Sequence, residues 1–165
     1  MAISQYIKEI GRGKDGARSL SREQAADLFG QVLDGSASEL EIGAFCLAMR
    51  IKGETPEEVA GVVRALRDAM RILPARDPDG LVDTCGTGGG TLTTFNISTA
   101  AALLAAGCGV RVAKHGNRSF TSRSGSADVL EALGIAIDLS PLAMAEVLEE
   151  AGIVFMFAPL MHPAL

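Results

Sequence analysis

The residues best suited to chemistry lie in one stretch, Asp83-Thr84-Cys85-Gly86-Thr87-Gly88-Gly89-Gly90-Thr91-Leu92-Thr93-Thr94-Phe95-Asn96-Ile97-Ser98-Thr99. Four of the five residues from Gly86 to Gly90 are glycine, and a row of hydroxyl side chains follows. Glycine lets backbone amides turn toward one point and lets a ligand come close. The apolar pair Leu81-Val82 before the stretch reads as a strand near 81–84. The run Ala100 to Ala106 after it reads as a helix. A strand, a glycine loop and a helix N-terminus in that order direct free N–H groups and the helix dipole at an anion.

Charge agrees with that reading. The chain carries a formal net charge of -5 over 165 residues. Yet no Asp or Glu occurs from Thr84 to Ala127, a stretch that carries Arg111, Lys114, Arg118 and Arg123 as well as His115. Such a local excess points to a phosphate or pyrophosphate. The bland alternative is a buried glycine turn that merely lacks acids. Two familiar phosphate motifs are excluded. A Walker loop ends in Gly-Lys-Ser/Thr, and here Gly90 is followed by Thr91. The dinucleotide fingerprint wants a third glycine where Thr91 stands and an acidic residue further on, but none occurs before Asp128.

Single residues have plainer roles open to them. Cys85 beside the glycine loop has no evident activating partner and reads as a small packing residue. His115 in a polar stretch reads first as a hydrogen-bonding residue, since no nearby carboxylate would orient it as a base. Asn96 and Ser98 are both candidate helix caps, a role compatible with ligand binding. The three cysteines, Cys46, Cys85 and Cys108, are odd in number and widely spaced, which fits a reducing cytoplasm rather than a disulfide framework or a zinc site. No apolar run is long enough to span a membrane, and the N-terminus lacks the apolar segment of a signal peptide.

Helices before the glycine loop and strand–helix alternation after it must position these residues. Ile3, Ile7 and Ile10 share one helical face. Three capping signals follow: Ser21 with Gln24, Ser38 with Glu41, and Thr55 with Glu58, the last with Pro56 at the first helical position. The apolar stripes behind them are Leu28, Phe29, Val32 and Leu33, then Ile42, Phe45 and Met49, then Val59, Val62, Val63, Leu66 and Met70. Residues 1–73 are thus a small helical domain, and Pro74 to Gly80 a linker. Residues 74–165 alternate: a strand near 81–84, a helix near 97–106, a β-rich run at 110–113, a helix near 126–133, a helix from Pro141 to about Glu150, and a strand at 153–157. That order implies an α/β domain with a parallel sheet, its polar loops at the C-terminal edge of the strands. The strand at 153–157 ends close to Leu165, so the α/β domain is expected to be incomplete at its C-terminus. The locally basic segment Lys8 to Arg22 reads as a solvated face, with a nucleic-acid contact as the minority reading.

Four motifs resemble one family. Asp83 to Gly89, Thr94 to Thr99, Lys114-His115-Gly116-Asn117-Arg118-Ser119 and Ser124-Gly125-Ser126-Ala127-Asp128 are similar to the anthranilate phosphoribosyltransferases. The resemblance implies transfer of a phosphoribosyl group from phosphoribosyl pyrophosphate to anthranilate in tryptophan biosynthesis, with Mg²⁺, in a cytoplasmic homodimer formed through the helical domain. Carried over, Gly86, Gly89, Gly90, Thr94, Asn96, Ile97, Ser98 and Thr99 would hold the pyrophosphate and ribose phosphate, and Ser98 would also ligate Mg²⁺. Lys114, His115, Gly116, Asn117, Arg118, Ser119, Phe120, Thr121 and Ser122 would wrap the phosphoribosyl donor. Asn117 would also face anthranilate, and Ser126 would complete the site. Lys114 would stabilise charge on the leaving group, with no covalent nucleophile required.

The sequence departs from that family at Gly90, where the family carries Asp. The family is also about twice as long, and its acidic metal pair and an acceptor-contacting Arg fall beyond Leu165. The 165-residue chain alone is therefore expected to be inactive. Gln5 to Arg22 and Ile51 to Glu54 also resemble a DNA-binding paralogue of the same fold, the alternative reading, but that paralogue lacks the glycine loop and the Lys-His-Gly-Asn motif. A bare dimerisation fragment and the nucleoside phosphorylases of this fold are weaker readings.

Overall fold

The computed structural model describes residues 2–13, 15–86, 95–119 and 124–164. Contacts divide the chain into two compact units, one reaching to Met70 and the other spanning Arg71–Pro163.

The first unit is helical: α1 (Ile3–Ile10), α2 (Arg22–Leu33), α3 (Glu39–Lys52) and α4 (Pro56–Ala69). Each expected capping box is present. The hydroxyls of Ser21, Ser38 and Thr55 accept the N–H three residues on, and the side chains of Gln24, Glu41 and Glu58 take the cap N–H in return. This pairing satisfies donors that a helix start otherwise leaves unmet. The core gathers Ile3, Tyr6, Ile10, Leu20, Leu28, Phe45 and Met49, with Phe29 and Val32 packed against it.

Helix α4 departs from the expected stripe. Val59 and Val63 are 49% and 47% exposed, while Glu58, Gly61 and Ala65 are buried. The reason is backbone approach: a Cβ at Gly61 would collide with the Arg22 carbonyl oxygen and come within 2.7 Å of the Ala25 methyl. Small residues let α2 and α4 touch nearly backbone to backbone, and the valines turn outward. Glu58 is 1% exposed and accepts bonds from Lys52 Nζ at 2.7 Å, the Leu20 N–H at 2.8 Å and the Thr55 N–H at 2.9 Å. Burial alone would raise its carboxyl pKa, but those donors together hold it below the usual glutamate value.

The second unit holds α5 (Ile97–Gly107), β1 (Val112–Gly116), α6 (Ser126–Ala132), α7 (Pro141–Ala151), β2 (Ile153–Phe157) and α8 (Ala158–Met161). β1 and β2 pair in parallel, Val112 opposite Ile153 through Gly116 opposite Phe157. The expected strand near 81–84 is reduced to one parallel bridge between Val82 and Val112. Val82 donates to the Arg111 carbonyl and accepts from the Ala113 N–H, both at 3.0 Å, and no strand continues into Asp83. The β-rich run expected at 110–113 lies later, at 112–116, so Lys114, His115 and Gly116 are strand residues rather than loop residues. Ala113 and Val154 pack with Met144, Leu148 and Met161, whereas Phe155 packs with Ala127, Leu130 and Ile137. Gly152, at φ 71°, turns the chain from α7 into β2. Among the described residues no helix is long and apolar enough to cross a membrane.

Candidate functional site

The described part of the site gathers around the N-termini of α5 and α6 and the C-terminal end of β1. Before α5, Thr84 Oγ1 donates to the Ser98 carbonyl oxygen at 2.7 Å, tying the entry of the glycine loop to the first turn of α5. Asn96 occupies the N-cap position, but its side chain makes no capping bond. Its Nδ2 instead donates to the Ser124 carbonyl oxygen at 3.2 Å. The residue expected to cap one helix therefore joins the two polar segments. Ser98 lies inside α5 and does not cap it.

The second polar segment is held by Asp128. Its Oδ2 accepts the Gly125 N–H at 2.7 Å and the Ser119 N–H at 3.1 Å, spanning both limbs of the loop. These two amides hold the Asp128 carboxyl below its usual pKa, with a smaller contribution from Arg118. Asn117 accepts from Arg118 N–H through Oδ1 at 2.8 Å, and its carbonyl oxygen accepts from the Ala127 N–H at 3.3 Å and Ser126 Oγ at 3.4 Å. Two glycines make room for this closure. A Cβ at Gly116 would collide with Ser126 Oγ and lie 2.7 Å from the Phe155 ring, and one at Gly125 would lie 2.5 Å from Ser119 N.

The three described cations of the acid-free stretch do not converge. Arg111 donates to Glu149 at 2.5 Å and to the Asp77 carbonyl oxygen at 2.6 Å. Arg118 forks onto both Glu131 oxygens and stacks 5.5 Å from the Phe157 ring. Arg123 lies outside the described residues. Lys114 differs: it is 3% exposed and forms no ion pair among the described residues. It and Thr99, whose buried Oγ1 lacks a hydrogen-bond partner among the described residues, line a cavity of about 100 Å³ with Ala102, Leu103, Leu130 and Phe155.

His115 faces the ring of His162 edge-on, with centroids 5.3 Å apart. Nε2 of His115 and Nδ1 of His162 are buried and unpartnered among the described residues. Burial first, then the charge of His162, pushes the His115 pKa down. Asp83 accepts the Cys85 thiol, which raises the thiol pKa and makes a thiolate nucleophile there less accessible. The expected site residues Gly86, Asn96, Ile97, Ser98, Thr99, Lys114, His115, Gly116, Asn117, Arg118, Ser119 and Ser126 are described. Gly89, Gly90, Thr94, Phe120, Thr121 and Ser122 lie outside the described residues. Thr84, Asp128 and His162 were not among the candidate site residues. Asp128 alone had a local signal, three residues after the Gly125 cap.

The described residues offer no ready Mg²⁺ cage: no group of three or more His, Cys, Asp or Glu among them could hold a metal ion. Ser98 presents a single hydroxyl, whereas Mg²⁺ is usually held by carboxylates and substrate phosphates.

Comparison with known proteins fits both units. Anthranilate phosphoribosyltransferases from Methanosarcina barkeri and Persephonella marina are 53% and 46% identical over 99% of this chain, which spans 43% and 47% of those proteins. The crystal structure of anthranilate phosphoribosyltransferase from Thermus thermophilus superposes with a TM-score of 0.86 at 39% identity, covering 98% of this chain and 46% of that one. The Saccharomyces cerevisiae enzyme, solved in complex with PRPP and Mg, shares the fold at a TM-score of 0.83 and 24% identity, over 98% of this chain and 48% of that one. The helical bundle domain model of the glycosyl transferase family matches residues 4–70 and its α/β domain model residues 78–165, and the chain belongs to that glycosyl transferase family.

Proposed function

We propose that the protein transfers the phosphoribosyl group of phosphoribosyl pyrophosphate to the amine of anthranilate, a step of tryptophan biosynthesis. The observation that carries this reading is Lys114. A cation buried to 3% exposure, with no ion pair among the described residues, is costly unless an anion meets it. It sits in the unit where Asn96 ties the start of α5 to the second polar segment.

In this reading Gly86, Gly89, Gly90, Thr94 and Asn96 to Thr99 hold the pyrophosphate and ribose phosphate. Lys114 to Ser122 and Ser126 wrap the rest of the phosphoribosyl donor, and Asn117 also meets anthranilate. The amine nitrogen forms a bond to the anomeric carbon as the bond from that carbon to the pyrophosphate oxygen breaks. The electron pair leaves with pyrophosphate, and the surplus amine proton passes to solvent. Lys114 and the loop amides stabilise the charge that grows on the leaving group. A bound Mg²⁺ would supply further neutralisation there. Ser98 is the one ligand proposed from this chain, so weak Mg²⁺ affinity is expected.

A homodimer through the helical unit is supported by an apolar stripe on α3, where Leu40, Leu47 and Ile51 are 83%, 63% and 55% exposed. The cysteines Cys46, Cys85 and Cys108 are free, which suits a cytoplasmic protein. Calorimetric titration with phosphoribosyl pyrophosphate tests the central claim. Lys114→Met should weaken binding about tenfold or more, as loss of a charge-assisted contact does. Equal affinity of parent and variant, or no binding by the parent, overturns it.

A further inference from the structure

The helical unit carries a second concavity with the wrong charge for an acidic protein. It measures about 590 Å³ and is lined by Gln5, Lys8 and Glu9 of α1, by Arg12, Arg18 and Ser19 of the following loop, and by Gln24 of α2. Three cations face one carboxylate, in a chain whose net charge is -5. Glu9 does more than neutralise. Its Oε1 accepts from Arg12 Nη2 at 2.5 Å, its Oε2 lies 3.6 Å from Arg18 Nη1, and its carbonyl oxygen accepts the Arg18 N–H at 3.0 Å. One carboxylate thus gathers two guanidinium groups, lowering the entropy lost when both grip a ligand. A guanidinium has five N–H donors, and Glu9 engages only part of either set. Among the described residues, Gln5 and Ser19 make no side-chain hydrogen bond, so both stay available to a polar ligand.

We infer that this concavity is a second anion site, one that takes a small phosphorylated compound carrying two or more phosphate groups. Guanidinium pairs suit phosphate because the planar fork matches its oxygens. The volume is that of a small-molecule pocket. The surroundings disfavour a long polyanion. Tyr6, on the concavity wall, donates to Asp27 at 2.7 Å, and Asp27 belongs to a neighbouring depression lined by Glu23, Asp34 and Asp68 with Arg64 as its one cation. A nucleic-acid backbone leaving the basic concavity on that side would meet carboxylates, whereas a compact oligophosphate would not. This inference is independent of the proposed transfer reaction.

Inorganic tripolyphosphate is the probe, with amide shifts followed by NMR on the full chain. The expected result is a saturable shift of amides in Gln5–Arg12 and Arg18–Gln24. Lys8→Ala and Arg18→Ala should each weaken it about tenfold, and Lys114→Met should leave it unchanged. Both substituted side chains lie at the surface, and circular dichroism confirms that each variant is folded. Shifts confined to the α/β unit overturn the inference, as does equal affinity of either alanine variant. Duplex DNA that moves the same amides, displaces tripolyphosphate and shows a steep salt slope also overturns it, in favour of a nucleic-acid surface. A failure of phosphoribosyl pyrophosphate binding would leave these helical shifts in place.

Discussion

The two units solve the same problem, holding polar groups out of water, in opposite ways. In the helical unit the helix starts and the buried carboxylate are satisfied. Three capping boxes close within three residues each, and the buried carboxylate of Glu58 has Lys52 and two backbone amides around it. In the α/β unit several polar groups around the candidate site are left incomplete. Lys114 is buried without an ion pair, and Thr99 Oγ1, His115 Nε2 and His162 Nδ1 are buried without partners, among the described residues. Satisfied polar networks stabilise a fold; unsatisfied ones cost free energy and persist where a ligand completes them.

The largest expected effect breaks the helical side of that comparison. Glu58→Ala leaves Lys52, 7% exposed at its side chain, without its carboxylate. Losing one partner of a buried ion pair costs about 3–5 kcal/mol. Urea unfolding should show that loss, with faster amide exchange in α2 and α4. An unchanged midpoint would mean that Glu58 does not hold the unit together.

On the α/β side the expectation reverses, and function should suffer more than stability. Asp128→Asn keeps the side-chain shape but weakens the acceptor for the Gly125 and Ser119 amides. Affinity for phosphoribosyl pyrophosphate should fall about tenfold, with the unfolding midpoint little changed. A large drop in midpoint with unaltered affinity would erase the distinction drawn between the units.

The smallest effect is a difference in acid sensitivity. His115 has a pKa below its ordinary 6.5, so the fold favours the neutral ring. Its contribution is complete above pH 6.5 and is lost as pH falls through the depressed folded value. Glu58 is likewise depressed, from 4.5, so its contribution is complete above pH 4.5 and is lost only below it. Amide exchange against pH should show the α/β unit loosening first, and His115→Gln should abolish the early phase. A common onset in both units would contradict this.

Much was determined by the sequence alone, because the signals act over a few residues. Ser21, Ser38 and Thr55 announce helix starts through bonds that close within one turn. Gly86 to Gly90 and the absence of acids to Ala127 marked out a candidate anion-binding region, and the strand at 153–157 followed from its apolar run. What only the tertiary structure decided involves residues far apart in the chain. Which cations are already neutralised is one case: Arg111 meets Glu149 and Arg118 meets Glu131, so Lys114 alone of the described three keeps its charge free of an ion pair. The meeting of His115 with His162 is another, and so is the outward turn of Val59 and Val63, since only the contact at Gly61 sets how α4 lies on α2. Local propensity fixes dihedral angles and caps. Charge pairing, ring contacts and close backbone approach depend on which distant segments the folded chain brings together, and no periodicity within one segment encodes that.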